Sequence, residues 1–187
     1  MEKFSKTLSL YLYNHDLIYK NQIAWCQYIL INRIMGLLSF IILVPLGSIV
    51  FNFSTSFVFF CFFRFLRSRT GGFHAKTPCG CIVASSVNHI TFLLLAHASS
   101  KISILWILCI PTSIIIFSLS PANNANLHLS STEFLLLKSK IFFRIIIAVL
   151  SATVMYYIDV QISICIAMVM VSVASLLALA HLGYGQQ

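Results

Sequence analysis

Long apolar runs separated by short polar stretches set the pattern of this chain. Residues 34–51 (IMGLLSFIILVPLGSIVF) make the first run and residues 53–66 the second, with Asn52 and Ser54 as the turn signal between them. Further runs cover 81–98, 102–119, 141–158 and 160–180, the last two divided by Asp159. Each is near or below the ~20 residues a helix needs to cross a bilayer, so the pattern predicts about six short spans. Pro45 and Gly47 predict a kink in the first run, which a membrane helix tolerates when its neighbours satisfy the freed backbone groups. Residues 1–32 read differently. Leu8, Tyr11 and Leu12, then Ile18, Trp25 and Ile29, fall at helical spacing among polar residues, with Asn14, His15 and Asp16 as a break. Two amphipathic helices lying at a membrane interface are expected there. Two polar stretches remain, 67–81 and 121–140, and the tail HLGYGQQ.

Composition turns this pattern into a class. Hydrophobic residues make up 59% of the chain and charged residues only 9%, with a mean hydropathy of +0.95. A soluble domain carries about 25% charged residues, because its surface needs them. The expectation is therefore an all-α, polytopic membrane helix bundle forming a single membrane-embedded domain over residues 1–187. Lipid is its first partner. The N-terminal MEKFSKTLSLYLYNHD is too polar for the apolar core of a cleavable signal peptide.

The net charge of +8 raises the question of nucleic acid, but the cations sit in short loops and at the ends of runs, and no soluble groove is left to hold a polyanion. Their distribution suits anionic lipid at a cytoplasmic surface. With the N-terminus in the cytoplasm and six spans, every Lys and Arg except Lys101 falls at a cytoplasmic end. That orientation places both termini and both polar stretches in the cytoplasm, where thiols stay reduced. No internal repeat of the kind that builds transporters from inverted halves is visible.

Six cysteines are present. Cys26, Cys61, Cys109 and Cys165 stand among apolar residues and are expected to be small buried hydrophobes. Cys79 and Cys81 differ, because they close the stretch RSRTGGFHAKTPCGC from Arg67 to Cys81, which also holds His74 and several cations. Cysteine attacks as the thiolate, and an imidazole within about 3 Å can activate it. On one continuous helix His74 and Cys81 would be about 10 Å apart. Pro78 and the glycine pair argue for a bend that brings them together. Gly71 and Gly72 allow φ > 0 and close backbone approach, which suits a loop that receives a substrate strand or stabilises an oxyanion. The plainer reading is a solvated cationic flank with a Gly-Gly turn. A metal site from His74, Cys79 and Cys81 is a further alternative, but it has only three ligands and lacks the usual zinc spacing. Neither metal nor cofactor is expected. Asn88, His89 and His97, polar residues within one run, read as hydrogen-bonding groups inside the bundle or as functional groups in a span.

The residues R-S-R-T-G-G-F-H-A from Arg67 to Ala75, followed by Cys81, resemble the accessory gene regulator B (AgrB) family of bacterial membrane endopeptidases, which process quorum-sensing propeptides. The length, the amphipathic start and the stretch PANNAN before Lys138 and Lys140 fit the same resemblance. It implies that His74 is the catalytic histidine and Cys81 the nucleophile. Arg67 and Gly72, with Gly71 beside them, would support the site. Arg69, Lys76, Lys138 and Lys140 would contribute to holding an acidic propeptide tail. Cys79 is an additional thiol with no assigned role, and Glu133 is the acidic candidate for a third catalytic member. The implied reaction is cleavage of a small propeptide and cyclisation of the remainder to a thiolactone or lactone, in an enzyme that can act as a homodimer. The competing class is a small transporter or peptide exporter without proteolytic chemistry, using His89, His97 and Arg144 within the membrane.

Overall fold

A computed structural model describes residues 2–15, 17–72, 77–122 and 131–183. Among them the chain is helical, without a strand. The helices are α1 (Glu2–Asn14), α2 (Ile23–Val50), α3 (Phe53–Thr70), α4 (Pro78–Ala98), α5 (Cys109–Leu119), α6 (Ser131–Ile158) and α7 (Val160–His181). Short 3-10 turns at Lys20–Gln22 and Ser103–Leu108 precede α2 and α5.

The chain divides into two compact units, Met1–Ile42 and Leu43–Gln187. The first holds α1 and the start of α2. It exposes Phe4, Tyr11, Tyr13, Tyr19, Trp25 and Tyr28, an aromatic set suited to the headgroup region of a bilayer. The expected break after α1 is present. The expected boundary between a second amphipathic helix and the first apolar run is not, since α2 is one helix. No glycine or proline lies between Ile23 and Met35, so nothing in the backbone stops the helix while its composition changes from mixed to apolar.

The second unit is organised around α7, which packs against α3, α4, α5 and α6. From Ser163 to Met170 every residue of α7 is buried, as expected of a helix surrounded by others. Small residues make this possible: Ser163, Ala167, Ser172, Ala174 and Ala180 let neighbouring backbones approach. The α6–α7 hairpin is closed by Asp159, which caps α7 by accepting from the amides of Gln161 (2.9 Å) and Ile162 (3.3 Å), and by Ser163 Oγ donating to the Ala152 carbonyl (2.7 Å). Asn52 caps α3 in the same way through Thr55 N. Both capping positions are the ones the pattern marks as turns.

Among the described residues four helices are long and apolar enough to cross a bilayer: α2, α4, α6 and α7. Their outer faces are apolar and exposed, as at Val83, Val87, Phe143, Ile147 and Leu150. An apolar surface of that extent needs lipid to cover it. A count of six is compatible with this set. The other two expected spans become α3, whose second half carries Arg64, Arg67 and Arg69, and α5, which is only 11 residues long. The run 102–119 is divided because Pro111 sits in the first turn of α5, where it lacks the amide that would continue the α-helix backwards. The residues before it wind as a 3-10 turn instead.

Buried polar residues tie α2, α3 and α4 together. Ser56 Oγ donates to the Val44 carbonyl (2.9 Å) and lies 3.1 Å from His89 Nε2. The His89 ring stands edge-on to Phe59, and Gly47 packs against this group. Since the Ser56 proton is engaged by Val44, the network assigns the donor role to His89 Nε2–H. His97 meets Phe51 edge-on.

Candidate active site

The stretch 67–81 was expected as one loop. The structure gives it two helical ends. α3 continues to Thr70, so Arg67 and Arg69 belong to its last turn. α4 begins at Pro78, so Cys79 and Cys81 are helical. α3 runs on through Phe65–Thr70 and stops at Gly71, which leaves with φ 72° and ψ −144°, a positive-φ conformation that favours glycine. Gly72 follows with φ 117°. The residues 73–76 lie outside the described residues, and with them His74 and Lys76.

The start of α4 follows from three adjacent residues. Thr77 is extended (φ −124°, ψ 148°), and its hydroxyl accepts from the Gly80 amide at 3.0 Å. Pro78 occupies the first helical position, where its missing amide costs nothing. The Cys81 amide then donates to the Thr77 carbonyl at 2.9 Å, the first backbone bond of the helix. Cys81 is thereby held one turn from the positive end of α4.

Two residues apart on a helix, Cys79 and Cys81 face different ways. Cys79 is exposed. Cys81 lines a cleft with Phe63 and Arg67 of α3, Ala84, Ser85 and Asn88 of its own helix, and Leu176 of α7. Arg67 is the charged group of this cleft. Its Nη1 donates to the Gly71 carbonyl at 3.2 Å, and its guanidinium lies 5.8 Å from the Phe63 ring centre. Burial lowers the Arg67 pKa, and the nearby Cys81 thiolate acts against that by attracting the positive charge. Gly72 fills the space beside Arg67. A Cβ there would lie 2.8 Å from Arg67 Nη1 and 3.5 Å from the Leu176 carbonyl. Gly71 is similarly close to the second polar stretch: a Cβ would lie 3.2 Å from the Ala122 carbonyl, and the Ala122 amide donates to the Thr70 carbonyl at 2.9 Å. The beginnings of the two polar stretches are therefore joined.

The remaining sequence candidates are elsewhere. The second polar stretch is also shorter than the expected 121–140, because α6 starts at Ser131, while residues 123–130 lie outside the described residues. Lys138 lies over the rings of Phe117 (4.9 Å) and Phe134 (5.6 Å). Lys140 lines a separate surface hollow with Glu133, Leu136 and Leu137. None of Glu133, Lys138 and Lys140 lines the Cys81 cleft. Arg69 is exposed, close enough to Arg144 for their charges to repel. Arg144 reaches across from α6 to the end of α3, donating to the Phe65 carbonyl and to Ser68 Oγ (2.5 Å) and lying over the Phe65 ring. Among the four cysteines expected to be buried, Cys109 and Cys165 are, Cys26 is partly exposed, and Cys61 is exposed on α3 because that face turns away from the bundle. Among the described residues no three His, Cys, Asp or Glu side chains gather as a metal site.

Five cleft residues were not singled out as site residues from the sequence: Phe63, Ala84, Ser85, Asn88 and Leu176. Four had a local signal, since Phe63 is one turn before Arg67, and Ala84, Ser85 and Asn88 follow Cys81 by one and two turns on the same face. Leu176 had none, because its place depends on how α7 packs.

The fold and the cleft define a class: a helical membrane protein with a thiol held at a helix start beside a partly buried guanidinium. The family model for accessory gene regulator B matches residues 5–179, nearly the whole chain. The chain belongs to the AgrB family, a processing-protease family of the agr quorum-sensing system, whose substrates are AgrD-like propeptides. No curated protein and no solved structure matches it.

Proposed function

We propose that this chain is a cysteine endopeptidase of the cell membrane that cleaves a small propeptide and cyclises the part it retains into an autoinducer peptide. The observation that carries the reading is the placement of Cys81. It is the cysteine that lines the cleft together with Arg67, while Cys79 two residues earlier is exposed.

In this reading the Cys81 thiolate attacks a backbone carbonyl of the propeptide. The carbon–nitrogen bond breaks, the leaving amine takes a proton from His74, and the N-terminal part stays as a thioester on Cys81. A cysteine or serine within that part then attacks the thioester and closes the ring. Its proton passes to His74, and the Cys81 thiolate is restored. Thiol-to-thioester exchange is nearly energy-neutral, so closing a thiolactone needs no ATP. The first step exchanges an amide for a thioester and is uphill. Removal of the released tail or partitioning of the product into lipid draws it forward. The Arg67 guanidinium stabilises negative charge on sulfur or on the attacked oxygen. Arg69, Lys76, Lys138 and Lys140 supply the positive surface for an acidic tail. The protein spans the membrane several times, with both polar stretches in the cytoplasm, and an amphipathic leader on the propeptide reaches them from the lipid surface.

Co-expression with an AgrD-like propeptide tests this. Cys81→Ala and His74→Ala each abolish release of the tail, and Cys79→Ala retains it. Normal processing by Cys81→Ala would overturn the assignment.

A further inference from the structure

Arg144 is a cation inside an apolar span. It lies on α6 within the stretch Thr132–Ile158, which is long and apolar enough to cross a bilayer. A charge in such a place is costly and needs partners. Its partners in the protein are neutral. Nη1 donates to the Phe65 carbonyl and to Ser68 Oγ (2.5 Å), and the guanidinium lies 4.7 Å from the centre of the Phe65 ring. A guanidinium has five donors. Among the described residues Nε and Nη2 have no hydrogen-bond partner and are not enclosed, and no carboxylate pairs with Arg144. A second guanidinium stands beside it. Arg69 is exposed at the end of α3, near enough for the two positive charges to oppose each other. It too has no hydrogen bond or ion pair among the described residues. Two guanidiniums held together without an acid are matched by an anion.

Their depth selects the anion. Asn52 and Asp159, the caps of α3 and α7, lie at one end of the bundle, because the Cys165 thiol meets the Thr55 carbonyl (3.5 Å) in the first turns of these two helices. Ser68 is 16 residues past Asn52, about 24 Å along the helix. The hydrocarbon core of a bilayer is about 30 Å thick, so the pair comes near the opposite headgroup layer. From there toward the Asn52 end the outer surfaces are apolar and exposed, at Phe57 and Cys61 of α3 and at Ile147 and Leu150 of α6. Lipid chains cover such a surface. An acidic peptide would have to bring its carboxylates against it, which favours a lipid as the occupant.

We infer that Arg144 and Arg69 bind the phosphate of an anionic phospholipid whose chains run along α3 and α6. The phosphate oxygens take the open donors of both guanidiniums and link the end of α3 to α6. A zwitterionic headgroup is a poorer ligand, because its ammonium group adds a third positive charge. Arg69 thereby has a role besides the positive surface it offers an acidic tail.

The experiment uses the full chain in a mild detergent, given equal amounts of phosphatidylglycerol and phosphatidylcholine with identical acyl chains. Native mass spectrometry counts the lipid that stays bound. The wild type retains phosphatidylglycerol over phosphatidylcholine by about tenfold or more, the value of a charge-assisted hydrogen bond. Arg144→Gln and Arg69→Gln each lower the ratio at least several-fold, while Lys101→Gln, at the other end of the bundle, leaves it unchanged. Arg69→Gln removes no bond seen within the protein, so it decides the matter alone if Arg144→Gln does not assemble. Excess inorganic phosphate leaves the lipid in place; its displacing the lipid would show a site for the free ion instead. A wild-type ratio near one, or a ratio unchanged in both variants, would overturn the lipid site. Weaker binding of the propeptide tail by both variants with the lipid ratio unchanged would assign the pair to the tail alone. The readout needs no turnover, so its failure leaves the protease reading intact.

Discussion

Gly72 is the residue whose identity the geometry constrains most tightly. Its φ of 117° disfavours any side chain, and a Cβ would press on Arg67 Nη1. Holding a non-glycine residue there costs about 1–3 kcal/mol, part of which displaces the guanidinium from the cleft. Gly72→Ala is therefore expected to lower the processing rate by at least about tenfold, since 1.4 kcal/mol is a factor of ten. Quantifying released tail against the amount of protein in the membrane checks this, and a rate within twofold of wild type would contradict it. The same reasoning separates Cys79 from Cys81. In the sequence only the spacing from His74 distinguishes these two thiols, and the start of a helix at Pro78 gives one the cleft and the other the exterior.

Caps decide where the elements begin, and capping residues are legible because their chemistry is local. Asn52, Thr77 and Asp159 each accept amide hydrogen bonds at a helix start. Thr77→Ala should cost about 1 kcal/mol of helix-end stability and loosen the turn that carries Cys81. Single-turnover kinetics should show a several-fold slower acylation, with Thr77→Ser restoring the rate. If Thr77→Ala acylates at the wild-type rate, the cap does not position the thiol. Inside the bundle, a Cβ on Gly47 would come within 2.6 Å of both His89 Nε2 and Leu93 Cδ1. Gly47→Ala should destabilise by about 1–3 kcal/mol, read as a lower unfolding temperature in detergent. The helix ends hidden from the sequence had a common cause. α3 running on through Arg67 and Arg69, α2 crossing from polar to apolar, and α6 starting at Ser131 all place polar residues on helices. A polarity pattern marks such stretches as loops, whereas the backbone stops only at residues such as Gly71 and Pro78.

Much of the whole molecule was legible: an all-helical membrane protein of the AgrB family, with apolar runs at the positions of its long helices. What the pattern could not supply is which helix lies at the centre. α7 and α6 are both long and apolar, yet α7 is buried over most of its length and α6 presents one side outward. Small residues along α7 are the distinguishing signal, and they act through packing, which no single run reveals. The cation distribution carries its own prediction. In a variant lacking the native cysteines, a single cysteine at Lys101 should react with a membrane-impermeant maleimide in intact cells, and one at Lys140 only after lysis. Labelling of both from outside would overturn the cytoplasmic placement of the second polar stretch. The proposed chemistry depends on a covalent bond at one sulfur. Mixing the purified protein with its propeptide, quenching with acid and digesting for mass spectrometry should yield an acyl adduct on Cys81 with the mass of the N-terminal propeptide fragment, in the wild type and in Cys79→Ala. Tail release continuing in Cys81→Ala, or the adduct appearing on Cys79, would contradict it.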